Sequence, residues 1–203
     1  MAVLALAPVL AGPAHAGFDE ATAAFDKRDY TTALKELKPL AAKGDPRSQY
    51  AMGVMAENGF GMPKDLQQAA AWYRKAAEQG NTDAQFNLGA MYEHGVGMPV
   101  NYAQAARWYR PAAESSDIDA LSNLGVLYAT GRGVPQDKVL ALALYNVSVA
   151  FDTNKSSTAA SNRQGLANQM SMDEVQRALV LTDELLRPNQ LKPALQAYLQ
   201  RRK

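Results

Sequence analysis

Pairs of glycines offer the first chemical reading of this chain. Gly59-Phe60-Gly61, Gly95-Val96-Gly97 and Gly131-Arg132-Gly133 each look like the opening of a phosphate-cradling loop. Such a loop needs a third glycine, or a Gly-Lys-Ser/Thr sequence that brings backbone N–H groups and a lysine onto the phosphate. Neither follows here, and recurrence in register assigns the pairs to structural turns. Trp72-Tyr73 and Trp108-Tyr109 could stack on sugar rings. Set at helical spacing among alanines, they read instead as inter-helix core. His94 is the only histidine beyond residue 16, so no cluster of histidine ligands and no histidine-based triad can be assembled. Its place near a helix C-terminus suits an interaction with the helix dipole. Glu57, Glu93 and Glu114 stand in no close pairing of the kind acid/base catalysis uses. With no cysteine there is no disulfide, no thiolate nucleophile and no thiolate-bound metal. The expectation is a protein without catalytic residues, metal or cofactor. Asn146-Val147-Ser148 matches a glycosylation acceptor and is taken as chance.

The wider composition excludes other classes. Over 203 residues the net charge is +1, with no block of like charge beyond Arg201-Arg202-Lys203. Nucleic acid and acidic membrane surfaces are therefore not expected partners. Residues 1–16, MAVLALAPVLAGPAHA, form an apolar run ending in the small-x-small pattern Ala14-His15-Ala16. They read as a secretory signal cleaved before Gly17, and the run is too short to span a bilayer. No Lys or Arg precedes it, as a start placed downstream of the true one would leave it. The expected location of the mature chain is the periplasm.

What positions the remaining residues is a repeat. Gly53, Gly89 and Gly125 are 36 residues apart, and so are Pro63, Pro99 and Pro135, and Tyr73, Tyr109 and Tyr145. A fixed period of this length signals a solenoid. The signal peptide over 1–16 precedes a degenerate opening repeat over 17–44. Full repeats then occupy 45–80, 81–116 and 117–151, and capping helices with a basic tail occupy 152–203. Each full copy reads as two helices. In the middle copy the first helix runs over about 82–94 behind an Asn81 cap, with Asp45 and Asp117 equivalent. It stops at Gly95, and Pro99 prevents its continuation. The second helix starts at Asn101, with Asp65 and Asp137 equivalent, and carries Ala105, Trp108, Tyr109 and Ala112 inward. Gln68 and Gln104 sit three residues after their caps, as in a capping box. Glycine inside a helix costs roughly 1 kcal/mol against alanine, so its recurrence at Gly53, Gly89 and Gly125 implies that the partner helix packs close.

Beyond Ala150 the register weakens. Residues 158–170 read as a helix. Ser171-Met172-Asp173-Glu174 is a capping box opening a helix to Arg187, with an apolar stripe of Met172, Val175, Leu179, Leu185 and Leu186. A last short helix is expected over about 192–201, and no strand anywhere.

The pattern Ala84-Gln85, Leu88-Gly89, Met91-Tyr92, Gly95, Gly97, Asn101, Ala105, Trp108-Tyr109, Ala112-Ala113 resembles the Sel-one-like repeat, a relative of the tetratricopeptide repeat. The first copy keeps most of it. The third has Leu144 where tryptophan is usual and lacks the Ala-Ala pair after Tyr145. The likeness covers roughly residues 18–187. It implies an all-α, right-handed superhelical solenoid of antiparallel helix pairs, and a role as an adaptor for other proteins in bacterial envelopes. On such a superhelix the concave groove is lined by the first helix of each repeat. Tyr50, Val54 and Glu57 would line it in one copy, Phe86, Ala90 and Glu93 in the next, and Ser122, Val126 and Ala129 in the third. Tyr50 and Phe86 are the aromatic anchors of this expected protein-binding face, and Asn87 and Asn123 could hydrogen-bond a ligand backbone. The alternative is that Tyr50 and Phe86 pack internally. Two other roles are weighed: a binder of envelope glycan or peptidoglycan, which requires Trp72 or Trp108 in contact with solvent, and a cell-wall hydrolase. Cysteine-rich relatives of the repeat are linked to such hydrolysis, and this chain has no cysteine.

Overall fold

A computed structural model describes residues 13–152 and 158–201, with side chains from residue 17 onward. Among them are eleven α-helices and no strand. The chain divides into two compact units, residues 1–76 and 77–203.

The first unit holds α1 (Pro13–Asp26), α2 (Tyr30–Ala42), α3 (Pro46–Asn58) and all but the last residues of α4 (Leu66–Glu78). Its core gathers Ala21, Ala33, Leu37, Ala41, Met52 and Met55, with Phe25, Tyr30 and Phe60 half-buried against it. Tyr30 and Phe60 stack with ring centroids 4.4 Å apart. Helix α1 begins earlier than the expected start near residue 18. The expected leader falls largely on residues 1–12, outside the described residues.

The second unit holds α5 (Thr82–His94), α6 (Tyr102–Glu114), α7 (Ile118–Thr130), α8 (Lys138–Phe151), α9 (Thr158–Ala167), α10 (Met172–Leu186) and α11 (Leu191–Gln200). Helices α5 and α6 pack as one pair, α7 and α8 as the next, and α6 packs on α7. The caps expected from sequence are made. Asn81 accepts from the N–H of Ala84 (2.8 Å), Asp117 from Ala120 (2.7 Å), Asn101 from Gln104 (3.0 Å) and Asp137 from Leu140 (3.0 Å). Each supplies one of the acceptors that a helix start lacks. Gly95 closes α5 in the left-handed region at φ 70°, where a Cβ is strained. The N–H of Asn101 then donates back to the Tyr92 carbonyl (2.8 Å), and that of Asp137 to Tyr128 (2.9 Å), which fastens each interhelical loop onto the helix it leaves.

The second glycine of the Gly-x-Gly pair does a different job. A Cβ on Gly133 would lie 2.3 Å from the backbone of Tyr102 and Ala103. The loop of one repeat therefore rests directly on the opening turn of the second helix of the repeat before it. Gly61 meets the backbone of Tyr30 in the same way at 2.7 Å. These contacts set how closely successive copies stack, and they account for the loop without a phosphate.

After α8 the chain covers its own end. Helices α9 and α10 both pack on α8, and α11 packs on α10 and α6. The Ser171–Glu174 capping box closes in both directions. The stripe expected for α10 is corrected: Met172 is 88% exposed, Leu179 46% and Leu186 38%, while Ala178, Leu181, Thr182 and Leu185 are buried. Those four follow helical i, i+3, i+4, i+7 spacing. A small residue and a satisfied hydroxyl serve this packing face better than larger apolar side chains do. Thr182 donates to the Ala178 carbonyl (2.7 Å) and accepts from Asn146 (3.0 Å). Helix α9 ends at Ala167, three residues before Met170, which remains half-buried in the turn that follows.

Candidate functional site on the first-helix faces

Each full repeat is organised by its tyrosine. The Tyr73 ring presses so closely on α3 that a Cβ on Gly53 would lie 2.5 Å from it. In the second unit the equivalent distances are 2.7 Å for Gly89 against Tyr109 and 2.8 Å for Gly125 against Tyr145. The recurring helical glycine thus makes room for one aromatic ring. The phenol emerges beyond the glycine at a carboxylate of the first helix. Tyr73 donates to Glu57 at 2.6 Å, and Tyr109 donates to Glu93 at 2.7 Å. Burial and then the Glu93 carboxylate hold the Tyr109 phenol far above its ordinary pKa, so it remains a proton donor across the working pH range. In the third copy Ala129 replaces the carboxylate, and burial alone pushes the Tyr145 phenol up to about 12.

Several expected groove residues turn out to be shared with this framework. Tyr50 lies against Tyr73 with ring centroids 5.7 Å apart, and Phe86 against Tyr109 at 5.8 Å. Both are half-buried, as are Val54, Glu57, Asn87, Ala90, Glu93, Asn123 and Val126, while Ser122 is buried. Asn123 Nδ2 donates to the Tyr109 hydroxyl (3.2 Å). Glu93 of α5, Tyr109 of α6 and Asn123 of α7 thereby form one hydrogen-bonded relay. Buried glutamines, whose role the periodicity leaves open, occupy equivalent positions of α3 and α5. Gln85 donates to the Ala77 carbonyl (3.1 Å) at the end of the preceding helix, and Gln49 donates to that of Ala41 (3.2 Å). Each satisfies a carbonyl that a helix C-terminus leaves without an intrahelical partner.

The α7 part of the stripe borders a cleft of about 640 Å³ between α7, the end of α8 and α9. Ser122, Asn123 and Val126 are brought together there with Asp119, Asp152 and Asn162, which the groove expectation omits. Asp119 was legible, since it stands one turn before Ser122 and Asn123 on the same face. Asp152 and Asn162 were not, because they lie past the last full repeat, where no register places them. Burial, and the neighbouring charges of Asp119 and Asp83, raise the Asp117 carboxyl above its ordinary value against the opposing bond from the Ala120 N–H.

The tryptophans are only partly core. Trp72 and Trp108 are half-buried, and Trp72 packs against the core of the first unit while keeping some surface in solvent. Trp72 borders a hollow of about 500 Å³ shared with Lys38, Asp65 and Gln68, and Lys75 Nζ lies 4.4 Å from the centre of its ring. At the equivalent place in the third copy Leu144 is fully buried, in one cluster with Leu181, Leu185 and Leu195 of α10 and α11. Asn146 of the glycosylation-like triplet lies within α8, its amide engaged by Thr182. Among the described residues, no three His, Cys, Asp or Glu side chains are placed to hold a metal ion, and no helix is long and apolar enough to cross a membrane.

The Sel1 repeat model matches residues 46–81, 82–117 and 118–147. The chain belongs to the Sel1 repeat family. A crystal structure of a Sel1 repeat protein from Oxalobacter formigenes is 30% identical, superposes with a TM-score of 0.69, and aligns over 79% of this chain and 67% of its own. The structure of c5321, a protective antigen present in uropathogenic Escherichia coli strains and displaying an SLR fold, gives a TM-score of 0.76 at 28% identity. That match covers 95% of this chain and 41% of the antigen. A chitin synthase regulator, SKT5, of Malassezia restricta is 42% identical over 48 residues, which are 24% of this chain and 3% of that protein. This chain therefore spans only a small part of the curated relative it matches. Sel1 solenoids are typically scaffolds for protein–protein interaction and are generally non-catalytic.

Proposed function

We propose that this Sel1 repeat chain is a non-enzymatic scaffold of the bacterial periplasm that holds a segment of a partner protein along the first-helix faces of its repeats. The observation that carries the reading is the division of labour on α5 and α7. The repeat-defining residues Ala84, Leu88, Gly89, Ala120, Leu124 and Gly125 are buried. Phe86, Ala90, Glu93, Asn123 and Val126 keep part of their surface in solvent, and the α7 residues border an open cleft. A preformed surface of aromatic, apolar and hydrogen-bonding groups suits an extended or helical segment bound through many modest contacts. The periplasmic placement rests on the leader-like residues 1–16.

The test is an affinity pull-down from envelope extract with the wild-type chain beside a Tyr50→Ala/Phe86→Ala variant of matched helicity and melting temperature. One protein retained by the wild type and lost by the variant is the expected result. The same proteins on both, or none on either, overturns the proposed face. Fractionation, with N-terminal sequencing of the recovered protein, checks export, and an uncleaved cytoplasmic product contradicts it.

The half-exposed Trp72 beside Lys38, Asp65 and Gln68 favours a second reading, a glycan-binding hollow. Titration with soluble peptidoglycan fragments, followed by iodide quenching of tryptophan fluorescence, separates the two. A glycan site predicts quenching that falls as fragment is added, and unchanged quenching removes it.

A further inference from the structure

The hollow beside Trp72 has a counterpart in the same chain that is already covered. Helices α2, α3 and α4 stand two repeat periods before α6, α7 and α8, with the same starting positions. Lys38, Ala42, Asp65, Gln68 and Trp72 border the hollow, and Arg110, Glu114, Asp137, Leu140 and Leu144 hold the equivalent places in the second unit. There α11 lies over them. The Tyr198 hydroxyl donates to Asp137 Oδ2 (3.0 Å), and Gln196 Nε2 and Lys192 Nζ reach Glu114 Oε2 at 3.1 and 3.6 Å. Leu195 is fully buried in the cluster that holds Leu140 and Leu144. Asp137 also caps α8, its Oδ1 accepting from the Leu140 N–H (3.0 Å). Asp65 caps α4 in the same way, its Oδ1 accepting from the Gln68 N–H (2.9 Å), and no described residue donates to its Oδ2. The first unit leaves Ala42, Asp65 and Gln68 exposed, where Glu114 and Asp137 are half-buried and Leu140 is buried.

We infer that the hollow seats an amphipathic helix of a partner protein in the manner of α11, with an aliphatic side chain against Trp72 and a tyrosine three residues on donating to Asp65 Oδ2. Leu195 and Tyr198 are spaced in this way on one face of α11. Trp72, Met52 and Met62 supply the apolar floor that a helix laid into a groove needs. Charge separates this helix from α11 itself. Glu114, which α11 meets through Lys192 and Gln196, is matched by Ala42, and Lys38 at the rim forms no ion pair with any described residue. A lysine at the place of Lys192 would meet a cation there, so the hollow selects an acidic side chain at that place and rejects a second copy of α11. The inference extends the scaffold reading to a second face, which shares no residue with the first-helix stripe.

The probes are two fluorescein-labelled peptides of residues 190–201, one with the native sequence and one carrying Lys192→Glu/Gln196→Glu. Each is titrated with the full chain by anisotropy in about 50 mM salt, where charge is little screened. The acidic peptide is expected to bind roughly tenfold more tightly. Ala42→Glu, which gives the hollow the counterpart of Glu114, should reverse the order. Asp65→Asn keeps the cap, as Asn101 does, and should weaken the acidic peptide several-fold. It should have no effect on a peptide that also carries Tyr198→Phe, which a merely structural role for Asp65 would not produce. Far-UV circular dichroism confirms that each variant is folded. Equal binding of the two peptides, or none, overturns the inference. Binding that responds to Asp137→Asn and not to Asp65→Asn puts the peptide on the place of α11 and overturns it too. If neither peptide binds while soluble peptidoglycan fragments shield Trp72 from iodide, the hollow is a glycan site instead. Tyr50→Ala/Phe86→Ala should leave peptide binding unchanged. A failed pull-down with peptide binding intact therefore removes the first-helix face alone, and the converse result removes only the hollow.

Discussion

Gly89 and Gly165 are both helical glycines, and their surroundings predict opposite consequences of adding one methyl group. A Cβ on Gly89 would sit 2.7 Å from the Tyr109 ring, whereas one on Gly165 meets nothing within 4 Å. Gly89→Ala should therefore destabilise the protein by about 1–3 kcal/mol through overpacking. Gly165→Ala should stabilise it by about 0.5–1 kcal/mol through helix propensity. Urea denaturation measures both, and equal signs would contradict the packing described. The tyrosines supply a second contrast. Tyr109→Phe leaves Glu93 and Asn123 without their shared hydroxyl and should cost about 1–2 kcal/mol. Tyr145→Phe, in the copy where Ala129 replaces the carboxylate, should cost less than about 0.5 kcal/mol. Matching losses at the two positions would show that the hydroxyl relay contributes nothing.

Helices explain the copy that departs from the repeat. Tryptophan at the second-helix position is half-exposed in the first two copies, where one edge of the ring can remain in water. In the third, α10 packs over α8, and α11 is tied down by Tyr198 to Asp137 (3.0 Å) and Gln196 to Glu114 (3.1 Å). Leu144 is the residue that fits beneath them. Leu144→Trp, a return to the repeat pattern, should cost about 1–3 kcal/mol, and thermal unfolding that rises on this substitution would contradict the cap. The same helices show where reading a stripe of large side chains misleads. The α10 packing face runs through Ala178 and Thr182, and only the neighbouring helix decides which side of α10 it covers.

Across the molecule, one cap position meets different charge surroundings. Asp45 and Asp117 occupy equivalent places and cap α3 and α7 alike. For Asp45 burial raises the carboxyl pKa, but the bonds from Ser48 and the Arg47 guanidinium outweigh it and the net shift is downward. For Asp117 burial is joined by the charges of Asp119 and Asp83, and the net shift is upward. The stabilising contribution of Asp45 is present above the ordinary aspartate pKa and lost as pH falls through its lower native value. Asp117 behaves in reverse: its protonated form is favoured in the native state, so stability is lost as pH rises from the ordinary value through the native one. Asp117→Asn keeps the cap, as Asn81 does in the middle copy, and should raise the melting temperature at pH 7 with a gain that fades toward pH 3. Asp45→Asn should lower it at pH 7, with a loss that fades over the same descent. Melting curves from pH 3 to 8 check both, and differences independent of pH would contradict the assignment.

The 36-residue period, the caps at Asp45, Asn81, Asp117, Asn101 and Asp137, and the left-handed glycines were legible in sequence alone. They are local: a cap bonds three residues ahead, a turn needs its own φ, and a repeated pattern of glycine and tyrosine announces a repeated contact. The all-helical class and the repeat family follow from the same signals. Other features needed the folded chain. That Tyr109 joins Glu93 and Asn123, that Trp72 and Trp108 reach solvent, and that Asp119 meets Asp152 and Asn162 across a cleft depends on contacts between helices. Those contacts are set by packing at distances that no spacing along the chain encodes. The stretch after Ala150 has no register to extend, so its burial was decided only when α8 met α9 and α10.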